Sequence, residues 1–162
     1  MNKVATKTLG GCLKVVWYFF ALTGGCIAGA IANVYVYNIA YFNGYSFSDI
    51  WLVYPVVSIF FLIFSLIKPC YFNGVMVAIL ATFAYADPND IEDEVTEWFM
   101  ILPAILIVIA LLLGGLILAK STITHTVSGL ISSGFLFLSL FIGAGIMTKM
   151  VVAEAVEEKT DS

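Results

Sequence analysis

The sequence predicts an all-α protein, a polytopic transmembrane helical bundle of about five spans. Three observations carry that prediction. First, 62% of the 162 residues are apolar, only 11% are charged, and mean hydropathy is +1.04. A soluble domain carries about 25% charged residues, and a chain this short cannot hide so much apolar surface from water. Second, apolar runs of roughly bilayer length recur along the chain. Third, the lysines sit in alternate connections between those runs. A soluble enzyme, a disordered chain and a nucleic-acid binder are excluded on composition.

The first run extends from Lys14 to about Tyr37. Lys3, Lys7 and Lys14 lead into it, and Ala28-Gly29-Ala30 has the A-x-A form of a signal-peptidase site. Ile31–Ala40 continues apolar and aromatic, so a retained helix is expected, with cleavage near residue 30 as the alternative. Ala21, Gly25 and Gly29 recur at helical spacing and contain a GxxxG element. Small residues let two backbones approach and gain dispersion contacts that lipid does not supply. They predict a packing seam, either within the chain or toward a partner. Asn33 lies deep in the same run, and its amide needs a hydrogen-bond partner in lipid. Ser58 and Thr82 are the candidates.

The second and third runs are Ile50–Ile67 and Cys70–Ala86, with 18 and 17 residues. They reach about 25–27 Å at 1.5 Å per residue, against a hydrocarbon core of about 30 Å. They form either thin spans or a re-entrant hairpin around Lys68-Pro69. Both arrangements return the chain to the same side.

Asp87-Pro88-Asn89-Asp90 reads as a helix start, with Asp87 as cap and Pro88 at the first helical position. Ile91, Val95 and Trp98 then share one face, which predicts a short surface helix leading into the fourth run. Asp87, Asp90, Glu92, Asp93, Glu94 and Glu97 form an acidic outer patch. It lacks the glycine and ligand spacing of an EF-hand and reads first as a solvated surface, with a basic partner or divalent cations as the other reading.

The fourth run, Trp98–Ala119, has no charge after Ile101, and Pro103 is expected to bend it. Lys120-Ser121-Thr122 is read as a tight turn, which makes the fourth and fifth helices antiparallel neighbours. The fifth run is Ile123–Met147, with His125 in its first turn. His125, Ser128, Gly129, Ser132, Ser139 and Gly143 fall near one face. That stripe is either a polar path, joined by Asn33, or a packing face whose hydroxyls bond backbone carbonyls. The transmembrane domain is taken as residues 1–149, followed by an acidic tail over 150–162.

Lysine placement sets the expected orientation. Lys3, Lys7, Lys14, Lys68 and Lys120 fall on one side, and Lys149 and Lys159 on the other. Short cytoplasmic loops are rich in basic residues, so the N-terminus is expected inside and the acidic loop outside, in a bacterial-type inner membrane. Tyr35, Tyr37, Tyr41, Trp51, Tyr54, Tyr85 and Trp98 then suit the outer headgroup layer, with Trp17, Tyr18 and Tyr71 at the inner one.

Reactive chemistry finds no foothold. The seven basic residues are all lysine, so the bidentate guanidinium fork that favours phosphate and carboxylate ligands is missing. No HExxH motif or Ser-His-Asp set occurs. The single histidine lacks nearby acids for a metal site, and Cys12, Cys26 and Cys70 are too few and too widely spaced for a disulfide framework. The expectation is a non-enzymatic membrane protein without cofactor or metal. It would be a small subunit or accessory factor of a larger homo- or hetero-oligomeric assembly, or alternatively a small oligomeric channel or transporter. Its partners are the lipid bilayer and other membrane chains, not nucleic acid.

Overall fold

The computed structural model describes residues 3–74 and 94–157. Every regular element among them is a helix: α1 (Lys3–Phe42), α2 (Phe47–Ile50), α3 (Val53–Ile67), α4 (Glu94–Thr124) and α5 (Val127–Glu157). Residues 69–74 form a further helical stretch. Three segments are long and apolar enough to cross a membrane: Leu13–Phe42, Leu102–Thr124 and Val127–Met150. At 1.5 Å per residue they span about 45, 35 and 36 Å, each at least the thickness of a hydrocarbon core. The second run yields α3, whose 15 residues reach only about 22 Å. Most of the third run lies outside the described residues. The described residues therefore hold three bilayer-length helices, not the five spans expected.

Helix ends follow from local chemistry. α1 stops where Gly44 takes a left-handed φ of 77°. The Gly44 amide donates to the Tyr41 carbonyl at 3.1 Å and the Tyr45 amide to the Ala40 carbonyl at 3.0 Å. These two bonds are the Schellman pair that satisfies otherwise orphaned carbonyls. α2 then begins behind Ser46, whose amide and hydroxyl both donate to Asp49 Oδ2, at 2.9 and 2.6 Å. α3 ends because Lys68 precedes Pro69. The proline ring pushes the residue before it out of the α region, and Lys68 sits at φ −129°, ψ 63°.

The turn between α4 and α5 corrects the sequence reading. Lys120, Ser121 and Thr122 remain helical, and α4 runs on to Thr124. The reversal falls on His125-Thr126, with His125 at φ 51°. The Thr126 amide donates back to the Ser121 carbonyl at 3.1 Å, and the Thr126 carbonyl accepts from Leu130 to start α5. His125 thus fills the left-handed position that ends α4; it is not in the first turn of α5. The hydroxyls of Thr124 and Thr126 lie 2.6 Å apart across the reversal. α5 continues through Glu157, beyond the residue where the tail was placed.

Contacts divide the chain into two units, Met1–Asn73 and Gly74–Ser162. In the first, α1 packs on α3; in the second, α4 packs on α5. The second has a small apolar core of Ala104, Ile107 and Ala144, flanked by Leu140 and Met147.

Candidate functional site

The most differentiated chemistry among the described residues lies between α1 and α3. Its base is the small-residue stripe. Ala21, Gly25 and Gly29 are all buried, and α3 covers the two glycines. A Cβ added at Gly25 would stand 2.7 Å from Ser65 Oγ and 3.1 Å from the Phe61 carbonyl. One at Gly29 would meet Ser58 Cα at 3.4 Å and Phe61 Cβ at 3.6 Å. The missing side chains are what bring the two backbones together, as expected for small residues in lipid. The seam is therefore an internal interface, and α3 occupies the face that sequence alone left open to a partner.

Polar groups line this contact. Asn33 Nδ2 donates to Ser58 Oγ at 2.9 Å, one of the two partners named from sequence, and Ser58 Oγ donates to the Tyr54 carbonyl at 3.0 Å. Toward one end of α1, Asn38 is fully buried and donates to the Val34 carbonyl at 2.9 Å. Toward the other, Asn73 is 1% exposed, and its Nδ2 reaches the Trp17 carbonyl at 3.1 Å. Ser65, between them, returns its hydroxyl to Leu62 at 2.7 Å. Three buried oxygens in this group have no hydrogen-bond partner: Asn33 Oδ1, Tyr54 Oη and Asn73 Oδ1. Aromatic rings close around the seam, with Phe47 stacked on Tyr54 at 5.1 Å and Phe64 edge-on to Phe72 at 5.8 Å.

The other sequence candidates take different places. His125, Ser128 and Ser132 belong to the second unit. His125 is half-buried at the reversal, while Ser128 and Ser132 are exposed. The buried hydroxyls on α5 include Ser133, which donates to the Leu130 carbonyl at 2.9 Å, and Thr148, which donates to the Ala144 carbonyl at 2.8 Å. Gly129 faces Ser121, whose Cβ would lie 2.6 Å from an added methyl. Of the acidic patch, Asp87, Asp90, Glu92 and Asp93 lie outside the described residues. Glu94 and Glu97 fall in the first turns of α4. Cys26 and Cys70 are free thiols, and among the described residues no three His, Cys, Asp or Glu side chains gather as a metal site would require.

No family model, no curated protein and no solved structure matches this chain. What the α1–α3 seam can do must be read from its atoms. Amides, hydroxyls and one phenol can accept and donate hydrogen bonds. They offer neither an activated nucleophile nor an acid–base pair. Sequence reasoning singled out Asn33, named Tyr54 only as a residue of the outer headgroup layer, and passed over Ser65, Asn38 and Asn73. A signal was present for the asparagines: an amide inside an apolar run needs a partner there.

Proposed function

We propose that this protein is a non-enzymatic integral membrane protein that serves as a small subunit or accessory factor of a larger membrane assembly. One observation supports the reading above others. In the most apolar windows of its three bilayer-length helices, only 17%, 22% and 28% of residues are buried. Packing between membrane helices comes from dispersion contacts and hydrogen bonds, and helices that bury so little against their own chain keep broad faces for lipid or for neighbouring helices. Leu106, Leu113 and Leu116 on α4, and Ile131, Phe135 and Leu138 on α5, are exposed examples. Docking through these faces replaces docking through the Ala21–Gly29 stripe, which α3 covers.

The orientation we propose has the N-terminus in the cytoplasm and residues 87–97 outside, in a bacterial-type inner membrane. It rests on the lysines: with five crossings they divide five inside to two outside, and with three crossings Lys68 moves outside and the division is four to three. An odd number of crossings, three or five, gives the same placement of both ends.

Native purification in mild detergent, followed by mass-spectrometric identification of companions, tests the reading. A stoichiometric membrane partner or a stable oligomer is the expected result. A monomer recovered alone overturns it. Reconstitution into liposomes tests the alternative of a small oligomeric channel or transporter, because solute flux above that of empty vesicles would favour it.

A further inference from the structure

We propose that the α1–α3 seam binds water at two separate levels, one at Asn33 and one at Asn73, with a dry small-residue contact between them. The proposal depends on the chain spanning a membrane and not on its being a subunit. Its starting point is the set of three buried oxygens without a hydrogen-bond partner: Asn33 Oδ1, Tyr54 Oη and Asn73 Oδ1. All belong to the first unit. These atoms are buried from outside solvent, and a buried polar group left unpaired costs roughly 2–7 kcal/mol. A donor must reach the two amide oxygens, and the Tyr54 hydroxyl, which carries its own proton, needs an acceptor. Asn73 is 1% exposed, so a side chain from another protein has no access to its oxygen. A metal cation fits poorly, because hard cations such as calcium want about 6–8 oxygen ligands, several of them charged, and each level offers neutral amide and hydroxyl oxygens only. Water is small enough, donates twice, and characteristically bridges buried polar groups that would otherwise stay unpaired.

The two levels are far apart. Asn33 lies in α1, and Asn73 is anchored on Trp17 of the same helix, 16 residues earlier, which is about 24 Å along the axis. Between them the stripe leaves no room. An added Cβ at Gly25 already meets Ser65, and one at Gly24 meets the Phe72 carbonyl at 2.5 Å. Ser65 satisfies its hydroxyl on its own helix and asks nothing of a water. The geometry is that of two hydrated ends closed off from each other at Ala21–Gly29.

Water-edited solid-state NMR on the full chain in phosphatidylcholine liposomes tests this directly. With asparagine and glycine nitrogens labelled and assigned on the unaltered chain, the Asn33 and Asn73 side-chain amides should receive water magnetisation about as fast as exposed Asn43. The Gly25 and Gly29 amides should receive it several-fold more slowly. Asn73→Leu should leave the fast transfer at Asn33 unchanged, because the two levels are separate. If Asn33 and Asn73 are as slow as Gly25, the seam is dry and the proposal fails. If Gly25 is as fast as Asn33, water runs through continuously and the two-level division is wrong.

Discussion

The α1–α3 pair and the α4–α5 pair solve one problem in two ways. Both bring helices together over small residues: Gly25 against Ser65 in the first, Gly129 against Ser121 in the second. They part company over polar side chains. In α4 and α5 the buried hydroxyls of Ser121 and Thr148 turn back on their own helix, to the Leu118 and Ala144 carbonyls. A hydroxyl is short and can share a carbonyl three or four residues back. The contacts of α1 use asparagines instead, Asn33 toward α3 and Asn73, from the stretch over 69–74, toward Trp17. An amide has two donors and an acceptor, so Asn33 and Asn73 satisfy one end across a contact and leave an oxygen over. Hydroxyl-lined contacts close on themselves; amide-lined contacts stay open to a further ligand.

The largest effect expected from this comparison is steric. Gly25→Leu should destabilise the α1–α3 pair by about 2–3 kcal/mol in an SDS-titration unfolding experiment, since overpacking a tight contact costs that much. Gly143→Leu on α5, where nothing lies within 4 Å of an added Cβ, should not destabilise, and helix propensity favours it by up to about 1 kcal/mol. Equal losses would mean the stripe is not the contact that holds the pair. Next comes hydrogen bonding. Asn33→Ala should cost about 1 kcal/mol, the scale of an interhelical bond in a membrane. Ser121→Ala should be neutral or slightly stabilising, because its bond to the Leu118 carbonyl is internal to the helix and alanine has the better helix propensity by up to about 0.5 kcal/mol. A reversed order would collapse the distinction between the two pairs.

The reversals differ as well. Gly44 ends α1 without strain, whereas His125 ends α4 at a φ that costs an L residue roughly 1–2 kcal/mol. His125→Gly should therefore stabilise the α4–α5 pair by up to about 1 kcal/mol in the same titration, and a loss would show that the imidazole does more than turn the chain. The smallest effect is electrostatic. The Ser46 hydroxyl, and then its amide, hold the Asp49 carboxyl below its ordinary range. A carboxylate shifted down in the folded state contributes above its unfolded pKa and loses that contribution as pH falls through the lowered value. Protection of the Ser46 amide, followed by hydrogen exchange, should fade only at acid pH below the ordinary carboxylate range, and Asp49→Asn should remove that dependence. Residues 120–130 contain no carboxylate, so the other reversal should show no such transition.

Much of this was legible from residues alone. Runs of apolar side chains without charge fix where lipid-compatible helices form, because in hydrocarbon the backbone must bond within itself. Asn33 announced that it needed a partner, and Ala21, Gly25 and Gly29 announced a close approach. Local grammar also ended helices where expected at Lys68-Pro69. It misled at Lys120-Ser121-Thr122, where a charge and two hydroxyls looked like a turn. There Thr122 and Thr124 satisfy their hydroxyls on the carbonyls of Leu118 and Lys120, four residues back, so the helix continues to the strained His125.

Composition and periodicity, then, determined that the chain is helical and built for lipid, since those follow from what each segment can do with its own backbone. Which helix covers the glycine stripe, which hydroxyls on α5 are buried, and which oxygens remain without a partner were decided only by tertiary structure. Those outcomes depend on pairs of residues 25 to 56 positions apart in sequence, as for Asn33 with Ser58 and Asn73 with Trp17, and no local pattern encodes the distance between them.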